Sequence, residues 1–235
     1  MSRIVQSETL MISFNAVTKQ QGTRILFANG SFQLNPGEKI GLVGPNGAGK
    51  TTIFRLIMGE ESVDQGSVSR PDKVRVGYFS QNIENMKGRT VLAEVMSAGN
   101  LDKLSDEIKR LEDKLQDPNL TEDDMMTTVE RYGDLQAEFE NVGGYDLESR
   151  AKEILGGLRF SNEDMLVDVG QYSGGWKMRV SLAKILLLNP DVLLMDEPTN
   201  HLDVESIVWL EAWLQSFKGS VLMTSHDREF MNRLV

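Results

Sequence analysis

The chain has 235 residues, 25 Lys and Arg against 35 Asp and Glu, a formal charge of −10 and no cysteine. That length suits one domain with an insertion, and the lack of cysteine excludes disulfides, thiolate nucleophiles and cysteine zinc sites. The charge argues against a wholly basic nucleic-acid binder. Apolar runs such as residues 185–188 and 192–195 fall far short of the roughly 18 residues a membrane span needs. The opening M-S-R-I-V-Q-S-E-T-L has no long apolar core of the secretory kind, so the cytoplasm is the expected location.

From Met11 to Val43 the pattern predicts strands: L-M-I-S-F, I-L-F, S-F-Q-L and a buried run K-I-G-L-V-G. Gly22, Asn29-Gly30 and Asn35-Pro36-Gly37 are expected to turn the chain between them. Next comes G-P-N-G-A-G-K-T-T: Gly44, Pro45, Asn46, Gly47, Ala48, Gly49, Lys50, Thr51 and Thr52. It fits the phosphate loop G-x-x-x-x-G-K-[ST], with a strand before it and a helix from about Gly49 to a Gly59 cap after it. Glycines let backbone N–H groups and a helix N-terminus wrap a phosphate without side-chain collision. Lys50 would reach the β and γ phosphates, Thr51 would offer its hydroxyl to Mg²⁺, and Thr52 belongs to the same turn. Short strands then run to Gln81.

Residues 90–159 change character and become helix-periodic and charged. Leu101, Leu104, Ile108, Leu111 and Leu115 form one seam, and Asp117-Pro118-Asn119 breaks it. T-E-D-D at Thr121 predicts a capped second helix whose apolar face is Met125, Val129, Tyr132, Leu135 and Phe139, ending at Gly143-Gly144. The result is an antiparallel hairpin over 101–141 carrying 5 basic and 13 acidic residues, so most of the acidity sits there as a solvated face.

Ser173-Gly174-Gly175 opens a further apolar helix. Such a turn is a potential anion site, although a plain N-cap has the same composition. The strand V-L-L-M-D-E ends in two carboxylates. Asp196 at its mouth is placed to hold Mg²⁺ or its water, and Glu197 to polarise an attacking water.

Taken together, the phosphate loop, Gln81 after a strand, S-G-G before the acid pair, Asp203 and His226 resemble the nucleotide-binding domain of the ATP-binding cassette (ABC) superfamily. S-G-G-W-K-M-R, P-T-N-H-L-D and S-H-D-R-E-F are similar to the ABC-F proteins, soluble ATPases associated with ribosomes and translation, whereas transporter domains more often read P-T-S-A-L-D. The fold this implies is an α/β P-loop domain with a RecA-like core (1–89 and 165–235), an antiparallel β subdomain, and a helical subdomain (90–164) bearing the arm hairpin. The cofactors implied are ATP and Mg²⁺. Gln81 joins Thr51 and Asp196 at the metal, Glu197 is the general base, and His226 contacts the γ-phosphate. Ser173, Gly174 and Gly175 would meet the ATP of a second ABC domain, with Asp203 at the interface, so the isolated chain should hydrolyse ATP weakly. The ribosome is the expected partner. A transporter ATPase and a DNA-repair ATPase are the alternatives. The resemblance also implies the first half of a tandem protein, since the chain stops nine residues after His226.

Two positions depart from that pattern. Gln21 stands where the family usually stacks an aromatic ring on adenine, with Phe14 and Phe27 assigned to strand core, and Tyr172 opens the signature where Leu or Phe is commoner.

Overall fold

A computed structural model describes residues 12–80, 86–118, 120–141 and 144–235. The chain divides into two compact units, Met1–Asn82 with Asn189–Val235, and Ile83–Leu188.

The first unit holds two sheets. Strands β1 (Ile12–Gln21), β2 (Arg24–Leu34) and β4 (Gln65–Ser69) form an antiparallel sheet in the order β2-β1-β4. A tight turn at Gly22 (φ 60°), a conformation glycine adopts without steric cost, leaves Gln21 paired with Arg24. The expected turn at Asn29-Gly30 is instead an irregularity inside one continuous strand, β2. Ala16 and Asn29 both take positive φ there. Hydroxyls replace the disrupted ladder: Ser31 Oγ accepts from the Ala16 N–H at 2.8 Å and Thr18 Oγ1 from the Asn29 N–H at 3.1 Å.

The second sheet is parallel: β3 (Lys39–Gly41), β7 (Ser220–Thr224), β6 (Val192–Asp196) and β5 (Val76–Phe79), in that order. Strands β6 and β7 are buried along their whole length, which explains their continuous apolar runs. The buried run expected from Lys39 to Gly44 is shorter than predicted. β3 stops at Gly41, where the chain leaves the sheet for the phosphate loop, and Val43 is 81% exposed. Helix α1 (Lys50–Met58) follows, ending at Gly59 with φ 75° as the expected cap. Its Phe54, Leu56 and Ile57 pack with Ile12, Phe14, Val17 and Leu34 of the antiparallel sheet and Val192, Leu194 and Leu222 of the parallel one. Each such side chain contributes about 1.5–3 kcal/mol when fully buried. Helices α7 (Val204–Ser216) and α8 (Arg228–Leu234) complete this unit.

The second unit is helical: α2 (Val91–Met96), α3 (Leu101–Leu115), α4 (Glu122–Asn141), α5 (Leu147–Gly157) and α6 (Gly174–Leu187). Thr90 caps α2 through the Ala93 N–H, and Thr121 caps α4 through the Asp124 N–H. Helices α3 and α4 pack as the expected hairpin, with Arg131 bridging to Glu107 at 3.0 Å. The face of α4 differs from expectation. Met125 and Val129 are exposed, while Thr128 turns inward with Leu135. Thr128 can be buried because its hydroxyl donates to the Asp124 carbonyl at 2.6 Å, which frees the inward face from the need for an apolar residue at that level. Gly143 lies outside the described residues.

The division between units also differs from the expected subdomain limits of 90 and 164. Helix α6 belongs with the helical unit because it packs on α2 and α5, burying Met178, Leu182, Ala183 and Leu186. A half-hidden ion pair, Lys184 to Glu94 at 2.6 Å, ties α6 to α2.

Candidate functional site

Walker-type geometry starts at the end of β3. The chain loops through Gly44 to Gly49 and enters α1 at Lys50, with Gly47 at φ 75° and Gly49 at φ 94°. At Gly49 a side chain is excluded twice over. The backbone is left-handed, and a Cβ would lie 3.0 Å from the Phe27 ring and 3.2 Å from Leu26. Lys50 folds back over the loop, its Nζ donating to the Gly44 carbonyl at 2.8 Å.

The strand ends bring the acids to this loop. β6 and β7 run parallel with Asp196 level with Thr224. Thr51 donates to Asp196 Oδ2 at 2.6 Å and Thr224 donates to Asp196 Oδ1 at 2.8 Å, so both carboxylate oxygens are held. Thr224 Oγ1 also accepts the Glu197 N–H at 3.0 Å. Glu197 itself sits at φ 54°, an uncommon conformation for a residue with a side chain. Its Oε2 accepts the His226 N–H at 2.9 Å, while the buried Oε1 has no hydrogen-bond partner and lies 3.5 Å from His226 Nε2. The imidazole of His226 is 63% exposed.

These groups line one cavity of about 450 Å³. Asn46, Gly47, Gly49, Lys50, Thr51 and Thr52 line it together with Asp196, Glu197, Asn200, His226, Gln21 and Leu26. A neighbouring cavity of about 490 Å³ shares Thr51 and Asp196 and adds Tyr78 and Ser80. Burial first, and then the charge of Asp196, push the Tyr78 phenol up to about 12, which keeps it protonated beside the carboxylate.

The donor set fits a small hard cation. Thr51 and Asp196 present a hydroxyl and a carboxylate, and among the described residues no cluster of three or more His, Asp or Glu exists to make an all-protein cage. Mg²⁺ is held in that sparse way, by one or two protein oxygens together with phosphates. Gln81 lies outside the described residues.

Four expected site residues, Ser173, Gly174, Gly175 and Asp203, are not among those lining this cavity. Ser173 is the N-cap of α6 with no side-chain capping bond, and Gly174 and Gly175 form the first turn. A Cβ at Gly175 would meet nothing within 4 Å. Asp203 caps α7 by accepting the Ser206 N–H at 2.8 Å. The signature's Tyr172 packs edge-on against Phe160 and donates to Asp164 Oδ1 at 2.8 Å. Burial, followed by Asp164, raises its phenol to about 12.

The sequence did not reveal Thr224, Asn200 or Leu26 as site residues. Thr224 had a faint signal, a polar residue closing an apolar strand, but its partnership with Asp196 depends on strand register.

The ABC transporter family model matches residues 27–200. "Probable ATP-binding protein YheS" of Escherichia coli K12 is 38% identical over 226 residues, 96% of this chain and 33% of that protein. "ABC transporter F family member 5" of Arabidopsis thaliana is 37% identical, over 98% of this chain and 32% of its own length. The chain thus spans about a third of the length of these curated relatives. Among solved structures, an ATP-binding subunit of an ABC transporter superposes with a TM-score of 0.68 at 18% identity, covering 96% of this chain and 83% of that one. At that identity the likeness speaks for the fold.

Proposed function

The chain belongs to the ABC family, in its F-type branch, and on that premise we propose that it binds ATP with Mg²⁺ and hydrolyses it in a site completed by a second ABC domain, acting on the ribosome. The observation that carries this reading is the convergence of Lys50, Thr51, Asp196, Glu197 and His226 on one cavity.

Mg²⁺, when bound, neutralises phosphate charge. The chain's own residues do the positioning. Backbone N–H groups of the phosphate loop and the start of α1 receive the phosphate oxygens, and Lys50 exchanges its bond to the Gly44 carbonyl for the β and γ phosphates. Thr51 and Asp196 would hold the Mg²⁺. Glu197, tethered by Thr224 and by the His226 N–H, keeps Oε1 available to orient and take a proton from the attacking water. His226, which lines the cavity beside Glu197, would contact the γ-phosphate.

Support for a composite site comes from α6. Ser173 keeps its hydroxyl off its own helix, and among the described residues nothing lies within 4 Å of where a Gly175 side chain would begin. Glycine in a first helical turn costs stability without a local reason, so close approach by a nucleotide on another domain accounts for it. Asp203, fixed as a helix cap, would present its loop to that domain. The S-G-G-W-K-M-R and P-T-N-H-L-D motifs favour the ribosomal reading over a transporter one, and no helix among the described residues is long and apolar enough to cross a membrane.

The deciding experiment uses Glu197→Gln in a full-length protein containing this chain. ATP should stay bound and hold the protein on ribosomes in a sedimentation assay. Cosedimentation indifferent to ATP would sink the ribosomal role. A brisk ATPase rate of the isolated chain, independent of its concentration, would sink the composite site.

A further inference from the structure

The second cavity, of about 490 Å³, shares Thr51 and Asp196 with the nucleotide cavity and opens on their other flank. Arg55, Glu60 and Glu61 line it as well. Arg55 is taken by Glu61 at 3.3 Å, which leaves Glu60 and Asp196 to set its charge. An acidic hollow of this kind draws cations and their water and repels free phosphate.

Two hydroxyls reach this cavity from β5, those of Tyr78 and Ser80. β5 pairs with β6 in parallel, Tyr78 opposite Leu194. Side chains alternate along a strand, so Tyr78 projects from the same face of the sheet as Leu194 and Asp196, and Ser80, two residues on, continues that face beside the carboxylate. The Tyr78 ring packs on Phe54 of α1 with centroids 5.7 Å apart, while its hydroxyl feels the charges of Asp196, Arg55 and Glu60. Among the described residues neither hydroxyl has a hydrogen-bond partner. Phenylalanine and alanine would therefore serve the fold equally well at these two half-buried positions.

We propose that Tyr78 and Ser80 are positioning residues of the metal site, their hydroxyls holding the water shell of Mg²⁺ on the flank that faces this cavity. This rests on the nucleotide-binding reading above and extends it to the cation. Mg²⁺ held by one or two protein oxygens and phosphates keeps several waters, because it dehydrates reluctantly. Water on a metal donates strongly, and a phenol or serine hydroxyl can accept that hydrogen bond and pass its own proton toward a carboxylate such as Asp196 or Glu60.

The test is displacement of a fluorescent ATP analogue from the whole chain by ATP, across a Mg²⁺ series and in EDTA. Tyr78→Phe and Ser80→Ala should each raise the half-saturating Mg²⁺ at least about 5-fold, toward the roughly 10- to 100-fold losses seen at outer-shell partners. Binding in EDTA and the Tm without nucleotide should stay at wild-type values. Ser80→Thr keeps a hydroxyl and should retain most of the Mg²⁺ affinity. A rise below about 5-fold in either Tyr78→Phe or Ser80→Ala overturns the proposal. An equal loss of binding in EDTA also overturns it, by making the two residues supports of the pocket's shape, and so does a threonine variant as impaired as the alanine. If Thr51→Ala leaves the Mg²⁺ dependence unchanged, the reading of a nucleotide bound with Mg²⁺ itself falls; a shift at Thr51→Ala with none at Tyr78 and Ser80 refutes the water-shell role alone.

Discussion

Replacing Thr224 by valine removes one hydroxyl from a fully buried position and leaves the shape of the side chain almost unchanged. Two hydrogen bonds go with it, one donated to Asp196 Oδ1 at 2.8 Å and one accepted from the Glu197 N–H at 3.0 Å. The first is charge-assisted and costs about 1.5–3 kcal/mol. The second costs less, on the order of 0.5–1 kcal/mol, because that N–H keeps the Thr224 carbonyl at 3.2 Å. The sum, about 2–4 kcal/mol, should lower Tm by roughly 4–16 °C in a chain of this size. Asp196 keeps only the Thr51 tether, so the Mg²⁺ concentration that half-saturates nucleotide binding should rise about 10- to 100-fold, as for other outer-shell partners of metal ligands. Differential scanning calorimetry and a Mg²⁺ titration of fluorescent-nucleotide binding read the two effects. Thr224→Ser keeps the hydroxyl and should recover most of the metal affinity. The reasoning fails if Thr224→Val retains wild-type Mg²⁺ dependence, or if the serine variant is as impaired as the valine.

Lys184→Met should destabilise the helical unit by about 3 kcal/mol, because Glu94 is left buried between α2 and α6 without its partner at 2.6 Å; adding Glu94→Leu should recover most of the loss in a urea melt. Gly49→Ala combines a disallowed φ of 94° with a clash on the Phe27 ring, and should abolish nucleotide binding in the displacement assay at a stability cost of roughly 2 kcal/mol. Asp164 titrates below its ordinary value chiefly because the Ser161 hydroxyl and N–H bond to it, and then because Tyr172 does. A depressed carboxylate stabilises the fold above its unfolded pKa, and that contribution fades as pH falls through the folded one. NMR titration should therefore show Ser161→Ala raising the Asp164 pKa more than Tyr172→Phe does.

How much of this was legible from residues alone depended on how local each feature is. The phosphate loop is contiguous, so glycines, Lys50 and Thr51 announce themselves and their helix. Asp196 and Glu197 were visible because a buried strand ends in two charges. Thr224 was not, since it matters only when β6 and β7 align level, 28 residues apart in sequence. The α4 face was misread at Met125 and Val129 because periodicity ranks apolar residues inward. A threonine that bonds its own helix backbone can occupy the inward position instead, as Thr128 does. Helix α6 was placed with the core on the strength of the family resemblance, whereas its contacts group it with α2 and α5. Tyr78 and Ser80 carried no motif; only the pairing of β5 with β6 brings them beside Asp196.

The level alignment of Asp196 with Thr224 also says where this protein can vary. The connection from the end of α7 to the start of β7 matters chiefly in that it returns β7 in the same register. A residue inserted within β6 or β7 is a different event, because the side chains beyond it exchange faces and the metal-holding and base-tethering contacts are lost together. The proposed site is in this sense an alignment of two rulers, intolerant of one notch of slip.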